Sequence, residues 1–193
     1  MNLVRFSFLA LIGLLAMPAV AQIYTIPPGA YRTAAAYHRH QPQPAGSDAF
    51  YPDKRGQVVV VVPRGPKSVK LRVAPDSVWG YVSDKGRTAR LYRGEEYRLE
   101  HADTLCVYTR AVNPVNAPMG GTNNMAPLYF FSRGLTGLIF PLMPRYLREA
   151  YEASNPAFAA AVGQLRVDQS LADLDKKTGL FRVTKIYRES VGR

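Results

Sequence analysis

The sequence contains one cysteine and three histidines among 193 residues. A single cysteine excludes a disulfide bond within the chain and any zinc site built from two or more cysteines. The chain also lacks the Gly-x-Ser-x-Gly elbow of hydrolases, the His-Glu-x-x-His helix of zinc peptidases and a glycine-rich phosphate loop. Because these common enzyme signatures are missing, the sequence points to no catalytic residue, no metal site and no cofactor.

The few candidate reactive side chains each have a simpler interpretation. His38 and His40 would share one side of an extended chain, as a metal pair does, but structural zinc needs four ligands and no further cysteine or histidine lies nearby. His101 follows Glu100 in a predicted turn, where a carboxylate would orient it as a base, although a polar turn is the better explanation. Cys106 lies within a predicted strand and is interpreted as a buried core residue.

Residues 1–21 predict a secretory signal peptide. Arg5 supplies the positive start, an apolar stretch covers 6–16, and Ala19, Val20 and Ala21 place small residues directly before Gln22. The apolar stretch is shorter than the roughly 20 residues that span a bilayer, and we expect no transmembrane segment in the mature chain. We therefore expect an exported protein, periplasmic or extracellular at the cell surface, whose mature chain begins at Gln22.

The stretch 22–56 has the composition of a flexible tail. Prolines interrupt it repeatedly, and its apolar residues follow neither the period of a strand nor that of a helix. Such a stretch has no regular face to bury, so we expect low order ahead of the folded domain, except near Phe50 and Tyr51, which can pack on the domain.

The stretch 57–142 predicts a β-rich region. A valine run at 58–62 ends at a Pro-Arg-Gly-Pro turn, and Val69, Leu71 and Val73 then alternate with charged residues. Six short strands are predicted, at 58–62, 69–73, 78–82, 88–92, 97–100 and 104–110. They indicate an antiparallel β-meander, curled into a small barrel or sandwich. The loop at 113–127 is too long for a compact domain unless it is functional or disordered.

The stretch 143–193 changes to helical spacing. A helix is predicted from Pro144 to near Ser154, and a second begins after the cap residue Asn155. Ser170 to Asp173 resembles a capping box, and 180–187 fits either a helix or a strand, with the helix preferred. The chain is therefore expected to be α+β, with the meander followed by C-terminal helices packed on the same domain.

Charge is the one surplus in the composition, with 25 Lys and Arg against 14 Asp and Glu, or +11 in total. A strand at 88–92 would place Arg90 and Tyr92 on one face, and Arg87 and Arg93 on the other. Arginines interleaved with tyrosines are typical of sheets that bind polyanions, although an ordinary basic surface explains them too. The predicted polyanion-binding residues are Arg87, Arg90, Arg93, Tyr92, Lys70 and Arg72.

Several segments resemble, in order and spacing, segments of exported proteins of Bacteroidota-type bacteria. They include Pro-Asp-Ser-Val-Trp-Gly-Tyr at 75–81, Lys-Gly-Arg-Thr-Ala-Arg-Leu-Tyr at 85–92, and shorter stretches at 129–135, 155–158 and 174–177. The resemblance covers about 69–187 and implies a bacterial envelope setting, with the β region and the helices in one unit. It implies no activity and transfers no functional residue. Met143 departs from the expected pattern, because a cap residue usually precedes a helix-starting proline.

Two functions remain open at this point. The first is an exported, non-catalytic envelope protein that binds or scaffolds on an anionic polymer, with anionic glycans or lipid headgroups as partners and nucleic acid disfavoured by export. The alternative is an enzyme of unknown class, with a cleft between the sheet and the 113–127 loop. A pocket that holds His101 or Cys106 would favour the enzyme, and an open basic face would favour binding.

Overall fold

The computed structural model describes residues 26–52, 55–111, 127–166 and 168–192. The strands are β1 Gly29–Tyr31, β2 Asp48–Phe50, β3 Val58–Arg64, β4 Lys67–Val73, β5 Gly80–Val82, β6 Thr88–Tyr92, β7 Glu95–His101, β8 Leu105–Arg110, β9 Leu128–Arg133 and β10 Phe140–Pro141. The helices are α1 Ala34–His38, α2 Pro144–Tyr151, α3 Pro156–Gly163 and α4 Arg182–Ser190. This order of elements confirms the α+β class, with helices after the β region.

The strands form two antiparallel sheets. The larger has seven strands in the order β1-β5-β6-β7-β8-β9-β10, and the smaller has three in the order β2-β3-β4. Strands β5 to β9 follow one another in the larger sheet, so the predicted meander is confirmed. The larger sheet is open rather than closed into a barrel, because β1 and β10 lie at its two edges.

The expected flexible tail at 22–56 is wrong for residues 29–50, which belong to the fold. Strand β1 pairs with β5, α1 follows, and β2 pairs with β3. Tyr31 is fully buried. Gly29 and Ala30 contact the Pro44 backbone closely: a Cβ at Gly29 would lie 2.6 Å from the Pro44 carbonyl oxygen, which accepts a hydrogen bond from Ala30 at 3.1 Å. At Pro44 the chain has therefore turned back onto β1. The sequence pattern did not indicate β1 and β2, because strands of three residues are too short to show a strand period.

One hydrophobic core lies between the two sheets. Val58 and Val60 of β3 are fully buried against Ala30, Tyr81 and Ala89 of the larger sheet, and Val59 between them is buried as well. Each fully buried valine contributes about 1.5–3 kcal/mol of transfer free energy. The smaller sheet therefore covers one end of the larger sheet, over β1, β5 and β6.

The C-terminal helices cover the other end of that same face. Leu105 and Val107 of β8 and Phe131 of β9 are fully buried against α2, α3 and α4. Leu147 and Tyr151 lie one helical turn apart on α2 and face this core. No helix of the described residues is both long enough and apolar enough for a membrane span.

The predicted helices at 144–154 and after Asn155 are confirmed, and 180–187 lies mainly in α4. The side chain of Asn155 caps α3 by accepting a hydrogen bond from the Phe158 backbone at 3.0 Å. The expected capping box at Ser170 is wrong, because 170–181 forms turns. Asp173 instead forms an ion pair with Arg182 at 2.9 Å, which holds the start of α4.

The opposite face of the larger sheet, called the enclosed face below, carries a third core. Tyr31, Tyr97 and Tyr108 are buried there, and α1 and the segment 134–139 close over them. Trp79 is half-buried just before β5 and donates a hydrogen bond from Nε1 to the Leu135 carbonyl oxygen at 2.8 Å. This bond joins the β5 side of the sheet to the segment that follows β9.

Candidate functional site

The six predicted polyanion-binding residues do not form one surface. Arg87 and Arg93 flank β6 at opposite ends, about 20 Å apart at the usual rise of a strand. Lys70 and Arg72 lie on β4, in the smaller sheet, and both are exposed. The remaining two residues, Arg90 and Tyr92, point to the enclosed face of the larger sheet.

Arg90 is a core residue with only 4% of its surface exposed. Its guanidinium donates to the hydroxyl of Tyr108 at 3.3 Å, to the hydroxyl of Ser132 at 3.5 Å and to the carbonyl oxygen of Thr136 at 3.5 Å. It also lies 5.3 Å from the ring centre of Tyr92. A polymer in solvent does not reach this guanidinium, so the structure removes Arg90 from the predicted binding surface.

Arg93 is exposed in the tight turn between β6 and β7. Its φ of 52° and the 76° of Gly94 are the two positive values that a two-residue hairpin turn requires. Its guanidinium lies 5.3 Å from the ring centre of Tyr92, on the outside of the sheet end. Arg93 is therefore accessible, but other cations of the predicted set lie elsewhere.

Three cations meet at the opposite end of β6. Lys85, Arg87 and Arg98 all line an open depression of about 470 Å³. The register of the β6–β7 hairpin explains why Arg87 and Arg98 are close. Ala89 lies opposite Arg98, and Arg87 lies two residues before Ala89 along the chain. Such diagonal neighbours across a sheet lie about 7–8 Å apart, within the reach of long side chains.

The floor of the depression is fixed by the core beneath it. The hydroxyl of Tyr37, on α1, lies 3.2 Å from the hydroxyl of Thr88, at the start of β6. The Tyr37 ring lies 4.8 Å from the ring centre of Trp79. The cations therefore stand on a rigid base that depends on α1, a helix within the segment expected to be a tail.

Glu100 holds Arg98 in place. Its Oε1 atom accepts a hydrogen bond from the Thr109 hydroxyl at 2.5 Å and lies 3.2 Å from Nε of Arg98. This contact engages Nε rather than the two terminal nitrogens of the guanidinium. With three cations and one carboxylate in its lining, the depression carries a net charge of about +2.

His101 lines the same depression but adds no charge at neutral pH. Burial and the nearby guanidinium of Arg188 lower its pKa, and these two effects outweigh Asp103, which raises it. Its Nε2 atom lies 4.0 Å from the Asp103 carboxylate, which Arg188 contacts at 3.1 Å. Across the described ranges, Nε2 of His101 has no hydrogen-bond partner.

The depression holds no nucleophile paired with a base. Within the described part of the chain, no hydroxyl or thiol donates a hydrogen bond to His101. Cys106 is fully buried on the enclosed face, its thiol donates to the Asp103 carbonyl oxygen at 3.1 Å, and burial raises the pKa of that thiol. A protonated, enclosed thiol is unsuited to nucleophilic attack.

The other sequence candidates contribute nothing further to this site. His38 ends α1 and His40 follows it in a turn with a φ of 56°. No group of three or more histidine, cysteine or carboxylate side chains among the described residues is arranged to hold a metal ion. The 113–127 loop, proposed as one wall of an enzyme cleft, lies outside the described residues except for Pro127.

No protein-family profile matches the chain, and neither a curated protein nor a solved structure matches it. No similar protein therefore indicates a binding site, and the site is defined by its geometry alone. Two of its cations, Lys85 and Arg98, were missing from the set of binding residues predicted from the sequence. A signal for Arg98 was present. A two-residue turn at Arg93 and Gly94 fixes the hairpin register, and counting back from it places Arg98 opposite Ala89.

Proposed function

We propose that the protein is exported and binds an anionic polymer without catalysis, through the depression lined by Lys85, Arg87 and Arg98. The observation that carries this proposal is the convergence of three cations on a rigid floor, in a depression whose lining holds one carboxylate, Glu100. The same three cations also line a neighbouring depression, together with Asp48, Asp84 and Glu96. The signal-peptide pattern at 1–21 supports export. The total charge of +11 supports an anionic partner.

The chemistry of the cations favours oxyanions. Arginine binds carboxylate, sulfate and phosphate groups through two parallel hydrogen bonds, and lysine adds a compact positive charge. The depression is open, and a repeating polymer would place one anionic group in it while the rest of the chain follows the basic surface. Anionic glycans, or the headgroups of anionic lipids, have this chemistry in an envelope.

Binding of heparin over a salt titration tests the proposal. The double variant Arg87→Gln/Arg98→Gln removes two of the three cations and leaves the floor of the depression intact. Because each lost contact no longer releases a counterion, the slope of the logarithm of affinity against the logarithm of salt should become shallower by about one to two. Affinity at low salt should fall by about tenfold or more.

The matched control is Arg64→Gln/Arg93→Gln, which removes the same charge from two exposed arginines outside the depression. It should lose less affinity than Arg87→Gln/Arg98→Gln. Equal losses in the two double variants would assign heparin binding to the general charge of the surface. Absence of heparin binding at low salt, together with absence of binding to extracted anionic envelope glycan and to vesicles with anionic lipid, would remove the proposal.

A further inference from the structure

Strand β4 leaves a long edge of the smaller sheet open. The strand order is β2-β3-β4, so within the described residues β3 is the strand that pairs with β4. Every residue at 67–72 is exposed, including Val69 at 36% and Leu71 at 40%. An edge of this length with exposed apolar side chains is a surface on which another extended chain can pair.

The backbone groups that β4 presents at this edge follow from its partner strand. The Val61 carbonyl accepts a hydrogen bond from Ser47, on the β2 side of β3. Pro63 has no N–H to donate to β4. Val61 and Pro63 lie opposite Lys70 and Ser68. These two pairs are therefore the non-hydrogen-bonded kind. In such an antiparallel pair, the two residues direct their backbone N–H and C=O groups away from each other. Ser68 and Lys70 therefore present these groups to the open edge, and so does Arg72, which lies two residues after Lys70 and opposite Val59.

The two faces of the open edge differ in chemistry. Val69 and Leu71 continue the face of β3 that packs on the larger sheet. Lys70 and Arg72 lie on the opposite face, where the Lys70 ammonium lies 5.9 Å from the ring centre of Phe50. Phe50, Lys70 and Arg72 also line a shallow depression of about 330 Å³. A strand added at this edge would thus have apolar neighbours on one side and cations on the other.

We propose that β4 is a docking edge for an extended polypeptide segment in which acidic and apolar residues alternate. Carboxylates at every second position would meet Lys70 and Arg72, and the intervening side chains would cover Val69 and Leu71. A second copy of β4 fits poorly, because antiparallel pairing would place cations of one copy against those of the other, and like charges across a sheet destabilise the pair. This inference does not depend on the depression around Arg87.

A synthetic peptide tests the proposal with the full chain. The probe is a fluorescent peptide of about eight residues, the length of an ordinary strand, with glutamate and valine in alternation. Its partner probe replaces each glutamate with lysine. Fluorescence anisotropy should show binding of the acidic peptide with a dissociation constant below about 1 mM and no binding of the lysine peptide. Amide hydrogen exchange at Ser68, Lys70 and Arg72 should slow when the acidic peptide binds.

Three variants locate the binding. Lys70→Glu/Arg72→Glu should raise the dissociation constant by about tenfold or more. The control Lys176→Glu/Lys177→Glu makes the same change of charge in an exposed turn and should leave affinity within about twofold. Ser68→Pro removes an outward N–H without changing charge and should also weaken binding.

The variant Arg87→Gln/Arg98→Gln should bind the acidic peptide as well as the unaltered chain does, which separates this inference from the proposed function. The proposal is overturned by equal losses in the two charge-reversed variants, by binding that leaves the three amides unprotected, or by no binding. Protection of those amides without peptide, together with a concentration-dependent dimer, would assign the edge to a second copy and would also overturn it.

Discussion

Arg90 donates a hydrogen bond to the Tyr108 hydroxyl across 3.3 Å, on the enclosed face of the larger sheet. The Tyr108 hydroxyl lies 3.0 Å from the Ser132 hydroxyl, and Arg90 also reaches the Thr136 carbonyl oxygen. Burial raises the pKa of Tyr108 to about 12, so this tyrosine stays a neutral hydroxyl at physiological pH. The guanidinium therefore ties β6 to β8 and to the segment after β9 through neutral oxygens.

Two substitutions at Arg90 separate the contribution of its side-chain volume to stability from that of its charge and hydrogen bonds. Arg90→Met keeps most of the volume and should cost about 1 kcal/mol, because the Thr136 carbonyl loses a donor. Arg90→Ala also leaves a cavity and should cost about 3 kcal/mol or more. Urea unfolding at neutral pH measures both. Heparin affinity of the methionine variant should equal that of the unaltered chain. A loss of affinity without a loss of stability would return Arg90 to the binding surface.

Trp79 should stabilise the fold through both its ring and its Nε1 hydrogen bond. Trp79→Phe keeps an aromatic ring but loses the bond to the Leu135 carbonyl, at a cost of about 1 kcal/mol. Trp79→Ala removes the ring as well and should cost about 3 kcal/mol, the low end for aromatic truncation, because the side chain is half-buried. Far-ultraviolet circular dichroism must report the unfolding, since Trp79 is the only tryptophan. Unchanged stability in both variants would favour a surface role for the ring.

The periodic parts of the sequence predicted the fold well. The β-branched run of β3 and the alternation in β4 are both strand signals, and the β6 bounds agree with the predicted 88–92. The helices α2 and α3 begin with proline, which suits a first helical turn. These signals are local, so a single segment is enough to read them.

The parts that depend on distant pairing were not predictable in the same way. β1 has three residues, and its strand character comes from pairing with β5, about fifty residues later. Arg90 is covered by the segment 134–139, which bonds Arg90 through the Thr136 carbonyl and Trp79 through the Leu135 carbonyl, and that segment lies more than 40 residues later in the chain. The alternation of β6 placed Arg90 and Arg87 on different faces, but it did not indicate which face is enclosed.

Stability should fall as the pH is lowered from neutral to about 5, and His101 should account for part of that fall. Because the pKa of His101 is lowered in the fold, the unfolded chain binds more protons below about pH 6.5, and unfolding then becomes easier. His101→Gln should reduce the dependence of the melting temperature on pH between 7.5 and 5, as measured by thermal unfolding at both values.

Asp103 acts in a lower range of pH and does not confuse this measurement. Its pKa is lowered, first by the hydrogen bond from the Thr104 backbone and then by Arg188, so its stabilising contribution is present above about pH 4 and is lost as the pH falls through its folded pKa. A His101→Gln variant with the same pH dependence above 5 as the unaltered chain would show that His101 is not held neutral by the fold.

Alanine should lower the free energy of unfolding when it replaces Gly80 and should not lower it when it replaces Gly163. A Cβ at Gly80 would overlap the Ala89 carbonyl oxygen and lie 3.0 Å from Cα of Arg90, so β6 would have to move away from β5. Gly80→Ala should therefore cost at least about 1–3 kcal/mol. Gly163 ends α3, and its nearest neighbour would be the Arg148 side chain at an ordinary 3.5 Å. Gly163→Ala should be neutral or stabilise by about 0.5 kcal/mol through helix propensity. Urea midpoints measured side by side test the pair, and equal midpoints would contradict the close β5–β6 contact on which the position of Arg87 depends.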